Sequence, residues 1–503
     1  MKKTSVFFLF TVHRSLLTVL MFTVHCSLLA VLAGCVLGPN FHRPEAPAAA
    51  DYASKPPAAT ASSPSVPGGE EQRFINGMDI PQQWWTLFES PPLNALIEKS
   101  IEANPTLDAA KAALRQAREL AAAQRGLFYP TVQGNASASR QKNATETIAP
   151  ALTSGEAYFS LYTGQLTISY MPDVFGLNRR QVESLDAQAE FQFFQLKAAY
   201  LTLTSNVVTA AVQEASLRAQ IEATRRIIEA ATKLLDIMRR DFALGYVTGL
   251  DVAAQEAALA QVQATLPPLE KQLALTRDML AALAGRFPGE EMAEKFDLDA
   301  MRLPRELPLS LPSKLVEQRP DMRAAEASWH SACAQVGVAA ANMLPQISIT
   351  GAMGGTSTQL GSLFVPGNQF WNITGGVTQT IFDAGTLLHK KRAAEAALEQ
   401  AAAQYRSTVL NAFQNVADTL HAIEEDANAL KAAVEAERAA RRSFDLTARQ
   451  LELGYVNYPA VLLAEQAWRQ AVISLVQARA GRFTDSAALF MALGGGWQEA
   501  IGN

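Results

Sequence analysis

Leu244-Gly245-Tyr246-Val247 and Leu453-Gly454-Tyr455-Val456 are one motif written twice, 209 residues apart. At the same separation Val252, Glu256, Gln261 and Leu266 meet Val461, Glu465, Gln470 and Leu475. Upstream, Asp173 and Gly176 meet Asp383 and Gly385 at offsets of 210 and 209, and Pro105 and Pro130 meet Pro320 and Pro345 at 215. Repeats of roughly 20–50 residues signal solenoids. A repeat of this size is instead a duplicated, domain-sized unit, and it implies internal pseudo-symmetry.

Each copy of the motif ends a very long helical pattern. From Arg179 to Phe242 there is no proline and no glycine, a run that spans roughly 95 Å at 1.5 Å per residue. The second copy, Leu387 to Leu453, is equally uninterrupted. Globular helices are far shorter, so the length predicts coiled packing. Alanine, glutamine and glutamate dominate over large apolar residues, which fits thin layers of helices better than a thick core. After Gly245 and Gly454 the pattern returns over Leu250–Leu283 and Pro459–Leu493. Pro267-Pro268 predicts a kink or split in the first return helix.

Working upstream from the long helices, the period changes to two. Thr131, Gln133, Asn135, Ser137 and Ser139 alternate with Val132, Gly134, Ala136 and Ala138, and Gln346, Ser348 and Thr350 alternate with Ile347, Ile349 and Gly351. The return runs place Tyr158, Tyr162, Leu166, Ile168 and Tyr170 on one face, and Trp371, Ile373, Gly375 and Val377 opposite Asn372, Thr374, Gly376 and Thr378. Strands are expected at about 130–142, 158–173, 345–357 and 368–382. Such alternation describes either a half-buried soluble sheet or a membrane β-barrel with lipid outside and a polar lumen. An almost uncharged polar face and aromatics near the strand ends favour the barrel. Four strands are too few to close one, because bacterial barrels start at about eight. Several chains must therefore share it, since open edges in lipid leave backbone groups unsatisfied.

Net charge is −5 and the pI near 5.8, so no basic field asks for nucleic acid. The cysteines Cys26, Cys35 and Cys333 have no metal-ligand or redox spacing. Lys2 and Lys3 precede an apolar run ending in small residues at Leu32-Ala33-Gly34, the pattern of an export signal over 1–34. A transmembrane anchor is the competing reading, weakened by His13, Arg14 and His25 within the run. Residues 35–81 are rich in Pro, Ala and Ser and read as an extended tether unable to bury enough apolar surface to order itself. Trp84-Trp85-Thr86-Leu87-Phe88 opens the first repeat, 82–300. A proline-rich connector spans 301–318, and the second repeat runs 319–503.

The chain resembles the outer membrane factors, the TolC-like channel proteins, and within them the lipidated NodT-type efflux subunits. The resemblance rests on several motifs together. Leu32-Ala33-Gly34-Cys35 is similar to the bacterial lipobox and is followed by Gly38-Pro39-Asn40-Phe41-His42-Arg43-Pro44. Trp84-Trp85 stands with Phe88, Asn104 with Pro105, and Arg319-Pro320-Asp321 opens the second copy. The others are Tyr170-Met171-Pro172-Asp173-Val174-Phe175-Gly176, Ala487-Ala488-Leu489-Phe490, and Ala492-Leu493-Gly494-Gly495-Gly496-Trp497.

The resemblance implies a mixed α and β membrane protein. It implies a homotrimer whose three chains give four strands each to one twelve-stranded barrel, continuous with a periplasmic tunnel of coiled helical hairpins. It also implies lipidation at Cys35, and Val36 in place of an acidic residue implies sorting to the outer membrane, in contact with its lipid. The implied partners are a periplasmic adaptor and an inner membrane pump of the resistance-nodulation-division or a similar type. The hairpin tips at about 245–251 and 454–459 match the turns that meet the adaptor: Gly245, Tyr246, Val247, Gly249 and Asp251, with Gly454, Tyr455, Val456, Asn457 and Pro459. The family's acidic closing positions match Ala460 and Leu463, uncharged here. Asp251 and an apolar constriction at Leu462 or Leu463 are therefore the expected gate.

No nucleophile elbow, phosphate loop, zinc spacing or other catalytic constellation is present, so neither an enzyme nor a cofactor is expected. His421, Glu424 and Glu425 share a helical face and read as a solvated surface, not a metal site. Cys333 reads as a small packed side chain. The competing function is a lipid-anchored periplasmic coiled-coil adaptor or scaffold without a channel.

Overall fold

The computed structural model describes residues 37–45, 51–52, 58–142, 158–290 and 292–496. The expected signal peptide, Cys35, the first strand loop and Trp497 lie outside the described residues. In chain order the elements are β1 (Arg73–Asn76), a 3-10 turn at Trp84–Phe88, α1 (Pro91–Ala103), α2 (Pro105–Gly126), β2 (Thr131–Lys142), β3 (Tyr158–Tyr170), α3 (Leu177–Ala243), α4 (Gly249–Gln263), α5 (Leu266–Leu283), β4 (Glu306–Leu309), α6 (Pro312–Gln318), α7 (Pro320–Ala341), β5 (Gln346–Ser357), β6 (Gln369–Thr378), α8 (Thr386–Glu452) and α9 (Tyr458–Ala492). The chain divides into two units, one built from residues up to 43, 115–191 and 326–404, the other from 44–114, 192–325 and 405 onward.

The first unit holds an antiparallel sheet in the order β2-β3-β5-β6. Its register places Leu166 between Gly134 and Met353, and Ile168 between Val132 and Gly351. Because successive side chains alternate, most apolar residues of the four strands, Val132, Leu166, Ile168, Met353, Trp371, Ile373 and Val377 among them, share one face, and most of the Thr, Asn and Gln residues share the other. The sheet stops short of the expected limits at two ends. β6 ends at Thr378, opposite Gln346, because the next partner would be Pro345, which has no N–H to donate. Residues 379–382, expected as strand, run past the ladder. β3 likewise ends at Tyr170, before Met171-Pro172.

Both long helices span 67 residues and begin in the same way. The Asp173 carboxylate accepts from the backbone N–H groups of Asn178 and Arg179, both at 2.9 Å. Asp383, its counterpart, accepts from Gly385 at 2.9 Å and Leu387 at 2.8 Å. These are the orphan donors of a helix N-terminus.

In the second unit Tyr405, Ala412, Val416, Leu420, Ile423, Ala427, Leu430 and Val434 form the buried seam of α8, mostly at the alternating three- and four-residue steps of coiled packing. The first return helix breaks at Ala264-Thr265, ahead of Pro267-Pro268, whereas α9 is continuous for 35 residues. The aromatic core gathers Trp84, Trp85 and Phe88 with Phe483 and Phe490, Trp84 stacking on Phe490 at 5.2 Å between ring centres.

The reading of 35–81 as a free tether is corrected wherever that segment is described. Within it, β1 pairs in parallel with β4, which lies in the region expected to be a plain connector. Little apolar surface is available in these segments, and polar groups order them instead. In the second unit the buried Arg482 guanidinium donates to the carbonyls of Gly68 at 2.8 Å and Glu70 at 2.9 Å, to Thr60 Oγ1 at 3.1 Å and to Gln72 Oε1 at 2.9 Å. Gln72 in turn donates to the Pro304 carbonyl and to Ser486 Oγ. Burial pushes the Arg482 guanidinium down to about 10, and these acceptors hold it in place.

Candidate functional site

Two surfaces follow from this fold, one in each unit. In the first, Val132, Leu166, Ile168, Met353, Trp371, Ile373 and Val377 stand exposed on the apolar face of the sheet. No described helix is long and apolar enough to cross a membrane. An exposed apolar face of this extent is an interaction surface, and its polar reverse carries Gln133, Asn135, Thr163, Thr167, Thr350 and Asn372 with no acidic residue.

The segment that follows Cys35 is fixed in this same unit. Buried Arg180 donates from Nε to the Leu37 carbonyl at 2.9 Å and from Nη2 to Asn40 Oδ1 at 2.7 Å. Phe41 stacks on His330 at 4.5 Å and meets Trp329 edge-on. Gly38 and Gly337 approach so closely that a Cβ on Gly38 would lie 2.5 Å from the Gly337 Cα. Cys333 Sγ is buried against the Pro39 carbonyl, so it is a packed side chain.

In the second unit the duplicated motif forms two turns of the same geometry. Gly245 and Gly454 have φ of 78° and 74°, the left-handed conformation that glycine adopts without strain. The N–H of Tyr246 donates to the Asp241 carbonyl at 2.9 Å and that of Gly245 to Phe242 at 3.0 Å; Tyr455 donates to Gln450 at 2.8 Å and Gly454 to Leu451 at 2.9 Å. These are paired Schellman caps, which satisfy the last carbonyls of α3 and α8. They free the tyrosines: Tyr246 and Tyr455 are each 78% exposed, with Val247 and Val456 half-buried behind them.

The helices that leave the turns start differently. Thr248 and Asp251 form a capping box, Asp251 accepting from the Thr248 N–H at 3.0 Å and from its hydroxyl at 2.7 Å. The hydroxyl and then the backbone bond hold the Asp251 carboxyl below its usual range. In the second turn Asn457 stands at the N-cap without a side-chain bond, and Pro459 occupies the first turn of α9. Gly249 is exposed and Asn457 and Pro459 are exposed at the tip.

Of the expected gate residues, Asp251 is committed to its cap, Leu462 is half-buried and Leu463 is 69% exposed. His421 and Glu425 are exposed, and no group of three or more metal-ligating residues occurs among the described residues.

Sequence reasoning missed two buried groups and one half-buried group on these helices. Tyr458 is buried and its hydroxyl has no partner; burial, then the nearby Glu465, Asp241 and Asp251, push it upward. Glu465 is buried in α9 and pushed upward by that burial, partly countered by Arg469. Asp426 of α8 lies against Gly481 and Asp485, and burial followed by the Asp485 carboxyl raises it to about 7. The sequence signals Tyr458, through the mismatch with Gly249 at the offset of 209 residues, whereas Glu465 matches another glutamate, Glu256.

An amphipathic four-stranded sheet is carried in one chain with two long helical hairpins that end in exposed tyrosines. The profile described as outer membrane efflux protein matches residues 96–286 and 311–495, and the chain belongs to that family. It is 28% identical over 479 residues to the toluene efflux pump outer membrane protein TtgC of Pseudomonas putida, covering 94% of each chain. It is 29% identical over 421 residues to the pyoverdine export outer membrane protein OpmQ of Pseudomonas aeruginosa, covering 83% of this chain and 88% of the relative. The solved structure of the outer-membrane channel OprN matches with a TM-score of 0.82 at 27% identity, covering 92% of this chain and 100% of the other. The protein is an outer membrane efflux channel, and its family is one of channels rather than enzymes.

Proposed function

We propose that three copies of the chain close one barrel of twelve strands, each copy giving β2, β3, β5 and β6, and that the duplicated hairpins of the three copies form a periplasmic tunnel below it. The observation that carries this is the sheet itself: it has a mainly apolar and a mainly polar face, and among the described residues its outer strands β2 and β6 each pair on one side only. Such edges are untenable in lipid, and pairing β2 of one copy with β6 of the next removes them. The channel is a passive conduit for small molecules, with selectivity and energy supplied elsewhere in the assembly. A periplasmic adaptor docks on the two turns through Tyr246, Val247, Tyr455 and Val456, exposed or half-exposed on caps that need only the glycines. The pump in the inner membrane is of the resistance-nodulation-division or a similar type. Cys35 carries the lipid anchor, two residues from the point where Arg180 fixes the chain. Leu462 and Leu463 narrow the tunnel near the turns, with Asp251 contributing from the other hairpin.

The experiment is single-channel recording of the purified lipidated protein in a planar bilayer, with the oligomer mass measured in parallel. Small, well-defined conductance steps from a trimer are expected. A monomer that conducts nothing would overturn the reading.

A further inference from the structure

The loop between β5 and β6, residues 358–368, carries no charge and is folded back on the sheet instead of standing free. Gly164 and Gly355, paired across β3 and β5, leave the space it occupies: a Cβ on Gly355 would lie 2.0 Å from the Leu363 carbonyl oxygen, and one on Gly164 would lie 3.1 Å from Leu363 and 3.3 Å from Phe364. By the period of the strands these two glycines belong to the apolar face, with Leu166, Met353 and Trp371. The loop is held by its own bonds. Thr356 N–H donates to the Asn368 carbonyl at 2.9 Å, Asn368 Nδ2 to the Ser362 carbonyl at 2.7 Å, and Gln369 Nε2 to the Phe364 carbonyl at 3.1 Å. Its apolar side chains Leu360, Phe364 and Val365 nevertheless remain exposed.

Between loop and strands lies a groove of about 930 Å³, lined by Gly134, Ala136, Leu166, Met353, Phe364 and Trp371. Its floor includes the smallest residues, and its walls are mainly apolar and aromatic, with Asn135, Gln165 and Gln369 also at its lining. Farther along β2, on the same face, stand Arg140 and Lys142, both exposed, Lys142 lying 5.3 Å over the Tyr158 ring. Four residues separate Ala136 from Arg140, about 13 Å along a strand. An apolar groove and a cationic pair thus follow one another on a single face, in the order of the acyl chain and headgroup of a lipid.

We propose that this face holds a specific site for an acylated, phosphate-bearing membrane lipid, its chain in the groove beneath loop 358–368 and its headgroup at Arg140 and Lys142. The proposal rests on the barrel reading above, which makes the apolar face the lipid-facing one. The groove is continuous with that face, no carboxylate among the described residues pairs with either cation, and a phosphate suits them by charge. The loop's exposed Leu360, Phe364 and Val365 would enter the same apolar layer.

The test uses the full-length lipidated protein reconstituted with phosphatidylglycerol or phosphatidylcholine carrying a photoreactive diazirine in the acyl chain, followed by peptide mapping of the labelled positions. Labelling at Met353 and Phe364 by the anionic probe is expected to exceed that by the zwitterionic one. It should be lost in Gly134→Phe, which fills the groove, while labelling at Ile373 and Val377 on the open part of the face persists in the same variant and reports its insertion. Arg140→Gln with Lys142→Gln should abolish the difference between the probes. Equal labelling by both lipids in the unaltered protein overturns the proposal, as does labelling at Met353 and Phe364 that survives Gly134→Phe. No labelling anywhere on the face, Ile373 and Val377 included, instead overturns the barrel reading.

Discussion

The two hairpin turns share a motif and a cap, yet they are held down by different means. At the offset of 209 residues, exposed Gly249 stands where Tyr458 is buried, and exposed Glu256, ion-paired to Arg239 at 2.8 Å, stands where Glu465 is buried. The first turn is secured from outside, by a capping box on the surface. The second is secured from inside, by an aromatic ring packed beneath it and a carboxyl taken out of water. One sequence signal therefore fixes the shape of a turn, and the surrounding helices fix how firmly it is held. Two turns that present the same tyrosine thus have different reserves of stability.

The sharpest way to break the comparison is at the unequal pair. Tyr458→Ala removes a buried ring and should lower the local opening free energy of the second turn by about 3 kcal/mol. Gly249→Ala, whose added Cβ would make only ordinary contact with Phe242, should raise that of the first by about 0.5 kcal/mol. Amide hydrogen exchange over the two turns measures both, and similar losses at the two positions would dissolve the distinction between inside and outside support.

The equal pair comes next. Gly245→Ala and Gly454→Ala add a Cβ with nothing within 4 Å, so only the left-handed backbone resists, at about 1 kcal/mol in each turn. Protection measured at Tyr246 and Tyr455 should fall by matching amounts; a clear inequality would mean the two caps are not equivalent.

The smallest effect is a pH dependence of opposite sign. Asp251 is held below its ordinary value of 3.8, so its contribution is present above that value and is lost as pH falls through the lowered one. Glu465 is held above its ordinary value of 4.5, so its contribution is full below that value and is lost as pH rises through the raised one. Exchange corrected for intrinsic rates should show the first turn loosening in acid and the second loosening towards neutral pH. Asp251→Asn should flatten the first response and Glu465→Gln the second, whereas Glu256→Gln, at an exposed ion pair, should change its hairpin by less than about 0.5 kcal/mol.

Most of the architecture was legible because it is local. The uninterrupted run from Arg179 gave a helix found over Leu177–Ala243, Pro267-Pro268 marked a real break, and the period-two runs became a sheet whose ends erred only where Pro345 and Pro172 cut the ladder. The turn glycines were legible for the same reason, since a chain reversal after a helix needs a left-handed residue. The docking of residues 58–72 was not, because it depends on Arg482, some 410 residues away. Nor was the burial of Glu465, because its own stretch of α9 reads like that of Glu256 in α4.

What the sequence determined by itself is therefore the set of elements, their lengths, the two faces of each strand and the geometry of each turn, all set by steric rules acting over a few residues. Tertiary structure alone decided which of two matching carboxylates leaves water, which arginines become buried clamps for the N-terminal segment, and where loop 358–368 folds onto the sheet. Desolvation and hydrogen bonding depend on the neighbours that packing brings together, and those neighbours lie hundreds of residues away along the chain.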